Sequence, residues 1–313
     1  MSDTKRFALV FPGQGSQSIG MLKALAGAYP VVAETFAEAR DVLGFDVWDI
    51  TQNGPEEQLN RTTVTQPALL AADIACYRAW RAAGGPVPNW TAGHSLGEYA
   101  ALVCAGALEF ADALTLVAHR GRLMQEAVPE GTGAMAAILG LEDQVVEKLC
   151  NDSAAGEVLA AVNYNAPGQV VIAGTKAAVD RAIAGAKAVG AKRAILLAVS
   201  VPSHCALMRP AALKFAEKLA PVAIRPLAIP VIHNWNVDQA TSPEQVREAL
   251  VNQLFSPVRW VETIRRIAEF GATTVLECGP GKVLTGLDKR IVDLPCQALG
   301  EPADLLTAVA GLR

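Results

Sequence analysis

Aromatic residues make up only 5% of the 313-residue chain and charged residues 19%; acids outnumber bases, 31 to 27, for a net charge of −4. The basic excess or stripe that tracks a phosphate backbone is missing, which argues against a nucleic-acid binder. No run of about 18 apolar residues occurs, so no membrane span is expected. The six cysteines (Cys76, Cys104, Cys150, Cys205, Cys278, Cys296) form no C-x-x-C pair and no Cys/His group at zinc spacing. They read as reduced thiols of a cytoplasmic protein, and no metal is expected. MSDTKRFALVFPGQG lacks the long apolar stretch and cleavage site of a secretory leader. Internal repeats and long low-complexity linkers are missing too.

What remains is a chain that is 51% hydrophobic, long enough for one large domain or a large and a small one. Residues 6–126 alternate strand-like and helix-like stretches. RFALVF is an apolar run stopped by Pro12-Gly13, as a buried strand would be. A helical stretch from Met21 to Arg40 is broken near Pro30, and Pro67 to Ala83 is alanine-rich and helical. WTAGHS reads as a strand entering a sharp turn, and LGEYAALVCAG as the helix leaving it. That alternation predicts an α/β domain with a largely parallel sheet. Residues 127–203 follow another rhythm: GAMAAILG, EVLAAVNYN, QVVIAGT and AKRAILLAVSVP are strand-like, with helical LEDQVVEKLC and KAAVDRAIAGAKAVG between. The order β-α-β-β-α-β is the ferredoxin-like one, and predicts a small domain inserted in the larger. From His204 the α/β pattern resumes, with LAIPVIHN and TTVLECGPG as strand candidates.

Gly93-His94-Ser95-Leu96-Gly97 fits G-x-S-x-G between a predicted strand and helix, the setting of a nucleophile on a strained turn. Its neighbours two positions away must be small, and Gly93 and Gly97 meet that need. The helix starting at Leu96 points unpaired N–H groups at the same spot, where one oxyanion donor is worth about 3 kcal/mol of barrier. The plain alternative is a glycine-flanked serine in an ordinary turn. A second donor is expected from the loop Phe11-Pro12-Gly13-Gln14-Gly15-Ser16-Gln17, whose glycines permit close backbone approach. Read instead as a dinucleotide fingerprint, this loop has Ser18 where the third glycine should stand. Gly279-Pro280-Gly281-Lys282 lacks Walker A spacing.

A serine hydroxyl needs a base. His94 lies inside the turn and suits a structural hydrogen bond; His119 shares a polar helix face with Thr115, Arg122 and Glu126. His204 and His233 each follow a predicted strand, and the residues alone leave these two even. Asp238, Glu277 and Asp288 are available to orient a base, with none singled out. In the helical stretch 109–126, Arg120 falls in the apolar stripe of Ala113, Leu116, Val117 and Met124. An inward guanidinium needs an anion: either an internal carboxylate, or a substrate carboxylate gripped by the guanidinium fork.

Together these residues resemble the malonyl-CoA:acyl carrier protein transacylases of fatty-acid synthesis, discrete bacterial-type enzymes. The likeness runs over nearly the whole chain, from Phe11-Pro12-Gly13-Gln14-Gly15-Ser16-Gln17 through Thr65-Gln66-Pro67-Ala68, Gly93-His94-Ser95-Leu96-Gly97-Glu98-Tyr99, Arg120 and Ser203-His204 to Gly279-Pro280-Gly281-Lys282-Val283-Leu284. The resemblance implies an α/β-hydrolase-like core with a mostly parallel sheet, over 1–126 and 204–313, carrying a ferredoxin-like insertion over 127–203. It implies Ser95 as nucleophile and His204 as base, the latter steadied by the main-chain carbonyl of Gln253. The oxyanion hole would be the N–H groups of Gln14 and Leu96, and Arg120 would hold the free malonyl carboxylate. Gln66 and Asn234 match polar positions lining the site, and Asn163 and Asn165 would meet the cofactor arm. Malonyl-CoA is implied as substrate, with no permanently bound cofactor, and acyl carrier protein as partner to a monomer. Carrier proteins are usually acidic, so a basic patch is expected at Lys187, Lys192 and Arg193 or at Lys282, Lys289 and Arg290. One departure stands out: His233-Asn234-Trp235-Asn236 replaces the Asn-Asn-Val-Asp of many relatives, and Trp235 would reshape that wall. The alternatives are a serine esterase or thioesterase on the same core, a malonyl transferase serving polyketide synthesis, and a non-catalytic binding module for coenzyme A or nucleotide.

Overall fold

The computed structural model describes residues 5–129, 131–199 and 201–312. It is a mixed α/β structure with one parallel and one antiparallel sheet. In the first, β1 (Phe7–Phe11), β2 (Trp90–Gly93), β7 (Val231–Ile232), β8 (Thr274–Glu277) and β9 (Cys296–Ala298) lie in the order β7-β2-β1-β8-β9, and every pairing is parallel. All five residues of β1 are buried, which is why its sequence is continuously apolar rather than alternating. Its side chains still alternate between faces. Phe7, Leu9 and Phe11 join a core with the helices Pro30–Leu43, Thr62–Ala82 and Phe110–Ala127, while Ala8 and Val10 join another with helix Trp260–Glu269. The result is a helix–sheet–helix sandwich whose strands all present their C-terminal ends on one side.

The second sheet holds β3 (Gly133–Leu139), β4 (Leu159–Ala166), β5 (Gln169–Thr175) and β6 (Arg193–Leu196) in the order β4-β5-β3-β6, all antiparallel. Ala134, Ala136 and Ile138 of β3 pack under helices Asp143–Ala154 and Lys176–Ala186. Met135 points the other way, into a small cluster with Val162, Val171 and Cys205. That face looks toward the C-terminal ends of the parallel strands. Val258 stitches the two units together: its N–H donates to Val162 O (2.8 Å), and its carbonyl accepts from Tyr164 N–H (3.0 Å).

Several elements differ from the sequence reading. The helix expected from Pro67 begins at Thr62, with Pro67 inside it. The strand expected through 191–202 ends at Leu196; its last ladder contact is Leu197 N–H to Met135 O (2.9 Å), and Ser200 of that stretch lies outside the described residues. LAIPVIHN contributes only Val231 and Ile232, because Pro230 has no N–H to donate and can only accept, from Thr91. The edge strand β9 was not anticipated, three residues being too short for a periodic signal. Among the described residues no helix is long and apolar enough to cross a membrane.

Candidate active site

Ser95 stands between the C-terminal end of β2 and helix Gly97–Cys104 with φ +52°, a left-handed backbone rare for serine. The two flanking glycines make that possible. A Cβ on Gly93 would lie 1.9 Å from Gly97 C, and one on Gly97 would lie 2.1 Å from Phe11 O. Gly13 presses on the same turn, since its Cβ would sit 2.4 Å from His94 O. The loop after β1 is thereby brought against the nucleophile turn, with Gln14 and Leu96 both on the wall of the cavity around Ser95. Asn234 braces the turn from beneath: its Oδ1 accepts Ser95 N–H (2.7 Å) and its Nδ2 donates to Gly93 O (2.7 Å).

His204 Nε2 is 2.8 Å from Ser95 Oγ, and its Nδ1 is 2.8 Å from Gln253 O. A carbonyl only accepts, so Nδ1 carries the proton and Nε2 presents its lone pair to the hydroxyl. Burial, and then the nearby Arg120 cation, lower the His204 pKa to about 3; the Gln253 carbonyl opposes them. The expectation that His204 ends a strand does not hold. It sits in a turn with φ +65°, eight residues past β6, and is tied through its N–H to Leu254 O (3.1 Å).

Arg120 reaches the same hydroxyl from helix Phe110–Ala127. It is 2% exposed, whereas Thr115, Arg122 and Glu126 of that helix are exposed. Its Nη2 donates to Ser95 Oγ (3.0 Å) and Gln253 Oε1 (3.0 Å), and its Nη1 to Gln66 Oε1 (2.9 Å). No carboxylate pairs with it among the described residues, and its Nε–H has no partner there. Burial lowers its pKa, opposed by Tyr99 and Glu98. Three of five guanidinium donors are engaged, all by neutral oxygens, so a buried cation faces the cavity without a contacting anion.

The cavity measures about 90 Å³. Gln14, Gln66, Ser95, Leu96, Arg120 and His204 line it, together with the apolar side chains of Met124, Met135, Leu197, Val199 and Val201. Asn163 lines it, with an Oδ1 that has no partner among the described residues. Asn165 is instead bound to His94 Nε2 (2.8 Å). Asn234, expected on the wall, lies wholly buried under the turn, and Trp235 does not line the cavity, so the departure at that position leaves its wall unchanged. His233 makes no bond to Ser95: buried, it donates from Nδ1 to Glu98 Oε1 (2.7 Å), and its Nε2 has no partner among the described residues. His119 pairs with Arg122 near the surface. Of the three carboxylates considered, Glu277 accepts the N–H groups of Leu284 and Thr285, Asp288 holds Trp260 Nε1, and Asp238 bonds within its own loop.

Glu98 was not anticipated. Fully buried, it accepts from His233, from Asn234 N–H (3.0 Å) and from Gln253 Nε2 (3.0 Å). The signal was present, since Glu98 is the one charged residue between Leu96 and Ala107.

A family described as the acyl transferase domain matches residues 8–296. The malonyl CoA-acyl carrier protein transacylase of Escherichia coli K12 is 57% identical over 97% of this chain and 99% of that protein. The Bacillus subtilis protein of the same name is 44% identical over 98% of both. Among solved structures, the malonyl CoA-acyl carrier protein transacylase of Coxiella burnetii superposes with a TM-score of 0.97 at 50% identity, covering 99% and 98% of the two chains. A malonyl-transacylase in complex with its type II polyketide acyl carrier protein also gives 0.97, at 56% identity over 98% of this chain and 100% of that one.

Proposed function

The chain belongs to the acyl transferase family, and from that membership and the geometry around position 95 we infer a ping-pong transfer through a malonyl ester on Ser95. It is an acyltransferase that moves a malonyl group from malonyl-CoA to acyl carrier protein. What carries the reading is the meeting of three groups at one atom: Ser95 Oγ lies 2.8 Å from an imidazole lone pair and 3.0 Å from a buried guanidinium.

Ser95 Oγ attacks the thioester carbonyl carbon as its proton passes to His204 Nε2. The oxyanion rests on the N–H groups of Gln14 and Leu96. The C–S bond breaks, and His204 returns the proton to the departing coenzyme A sulfur. In the second half the phosphopantetheine thiol of the carrier gives its proton to His204 and attacks the ester; Ser95 leaves and recovers the proton. Arg120 holds the free carboxylate through both halves, with Gln66 and Gln253 fixing its orientation. Gln253 O keeps His204 in the productive tautomer. Asn163 faces the arm of the acyl donor. Asn165 acts through His94, and Asn234 as the brace of the turn.

The parallel unit, 1–126 and 204–313, is an α/β-hydrolase-like core, and 127–203 a ferredoxin-like insertion whose underside roofs the site. The protein works in the cytoplasm, where its six unpaired thiols persist, without a resident cofactor, and supplies fatty-acid synthesis. A polyketide carrier presents the same thiol arm, and kinetics with each carrier decides between them. Intact-mass measurement after mixing with malonyl-CoA tests the core claim. The wild type gains one malonyl group, discharged faster by carrier thiol than by water, and Ser95→Ala gains none. Full labelling of Ser95→Ala, or discharge as fast by water, overturns the reading.

A further inference from the structure

Glu98 takes no part in the reaction as drawn, yet it is a carboxylate with no exposed surface, on the first turn of the helix that follows the nucleophile. Three N–H donors converge on it, from His233, Asn234 and Gln253. The Gln253 amide is engaged at both ends. Its Nε2 donates to Glu98 Oε2 (3.0 Å) and to Ser95 O (2.8 Å), while its Oε1 accepts from Arg120 Nη2 (3.0 Å). A carboxylate and a guanidinium buried within one amide of each other would ordinarily close into an ion pair, because each relieves the other's desolvation. Here the amide stands between them. The Glu98 charge still favours the Arg120 cation.

We propose that Glu98 and the Gln253 side chain form the positioning pair for a diacid substrate: the carboxylate supplies the counter-charge that lets Arg120 be buried, and the amide keeps it out of contact, so the guanidinium stays open to the substrate's own carboxylate. The proposal rests on reading Arg120 as the malonyl fork. The Gln253 main chain holds His204 while its side chain holds Arg120, Glu98 and Ser95 O, and substitution removes the side-chain contacts alone. Without the amide, Glu98 and Arg120 would collapse together and close the fork. A direct salt bridge would have balanced charge equally well but would have occupied the donors the substrate needs.

The test uses the full chain carrying Gln253→Met, which keeps length and the main-chain carbonyl, and Glu98→Gln, which keeps shape and removes charge. Malonyl-CoA and acetyl-CoA serve as donors, and sulfonylation of Ser95 by phenylmethanesulfonyl fluoride reports the nucleophile without a carboxylate. Gln253→Met is expected to raise KM for malonyl-CoA about tenfold or more, the size of one lost charge-assisted hydrogen bond. Acetyl transfer and sulfonylation register whatever is lost when Ser95 O and Glu98 Oε2 are left without the amide donor, so the malonyl loss is read as its excess over theirs, expected to be about tenfold. The double variant is expected to be no worse on malonyl than the worse single one, since without Glu98 the collapse has no partner. Equal losses on both donors and on sulfonylation would reduce the pair to scaffolding under the turn, and an unchanged malonyl KM would also overturn the proposal. Glu98→Gln alone, with the counter-charge gone, is expected to lose more on malonyl than on acetyl, so either single variant decides the question if the other does not fold. Arg120→Ala run alongside separates the two levels: if it fails to distinguish the donors, the fork reading falls; if it distinguishes them and Gln253→Met does not, only this proposal falls.

Discussion

Arg120→Ala removes the group proposed to select a diacid, and its effect can be sized. If the guanidinium gives a malonyl carboxylate two charge-assisted hydrogen bonds at about 1.5–3 kcal/mol each, their loss is about 3–6 kcal/mol, or about 10²–10⁴ in kcat/KM. Acetyl transfer loses no such contact. The substitution also leaves Gln66 Oε1 and Gln253 Oε1 without their buried donor and frees Ser95 Oγ from Nη2. Those effects fall on both donors alike and, at about 1–3 kcal/mol for each orphaned group, could mask a raw rate. The ratio of malonyl to acetyl kcat/KM cancels them, and it should fall at least about 10²-fold. A second consequence has a fixed sign. The Arg120 cation is, after burial, the largest influence lowering the His204 pKa, so its removal should raise that pKa. Single-turnover acylation followed by intact mass, with both donors and across pH, measures both quantities. A common loss factor for the two donors would refute the carboxylate role.

His204, with its pKa near 3, stays neutral in the free enzyme, so malonyl kcat/KM should show no histidine acid limb between about pH 5 and 7; a limb near 6.5 assigned to His204 would contradict this. The same depression means the unfolded chain binds this proton first, so its contribution to stability is intact above about 6.5 and is lost as pH falls toward 3. Gly97→Ala puts a Cβ 2.1 Å from Phe11 O and 2.8 Å from Pro12 O, pushing the loop after β1 off the turn; transfer should fall more than about 10²-fold in a purified, folded variant, and wild-type rates would show the approach is not needed. Asp288 is buried, one carboxyl oxygen has no partner among the described residues, and burial raises its pKa well above the usual range. The folded chain therefore retains this proton, and stability declines as pH rises above the unfolded pKa of about 3.8, at up to about 1.4 kcal/mol per pH unit. Asp288→Asn keeps an acceptor for Trp260 Nε1 without that penalty, so its Tm advantage over wild type should grow from about pH 5 to 8; an advantage that does not change with pH would count against it.

Much of the framework was readable because local signals and tertiary demands agreed. β1 is buried on both faces, so FALVF is continuously apolar, and Pro12-Gly13 ends it where the chain must turn back. The order of strands and helices across 133–196 was marked by turn residues at nearly every junction. Signals failed where a segment's length was set by a partner rather than by itself. β7 and β9 are two and three residues long because neighbouring strands, not their own pattern, define them. The stretch after Leu196 is as apolar as a strand, but Leu197, Val199 and Val201 turn to wall the cavity. Its apolar residues mark a cavity wall, half-buried at Leu197 and Val199 and buried only at Val201, and not the strand expected there.

The site divides along the same line. Ser95 and Arg120 were legible because each breaks a local rule, one a strained turn with small neighbours, the other a charge in an apolar stripe. The choice of His204 over His233 was not legible from the residues, and the reason is physical: both are buried imidazoles next to an acceptor, and only the tertiary fold sets Ser95 Oγ beside one of them. Burial and Arg120 keep His204 neutral, and the Gln253 carbonyl sets the tautomer that turns its lone pair toward Ser95. A carboxylate at Glu98 binds His233 into a support for the turn. Gln253 and Glu98 lie 155 positions apart and touch, so no local pattern could assign the two histidines. Two imidazoles of like burial can therefore carry opposite roles, and an argument from composition and spacing alone has to leave them even.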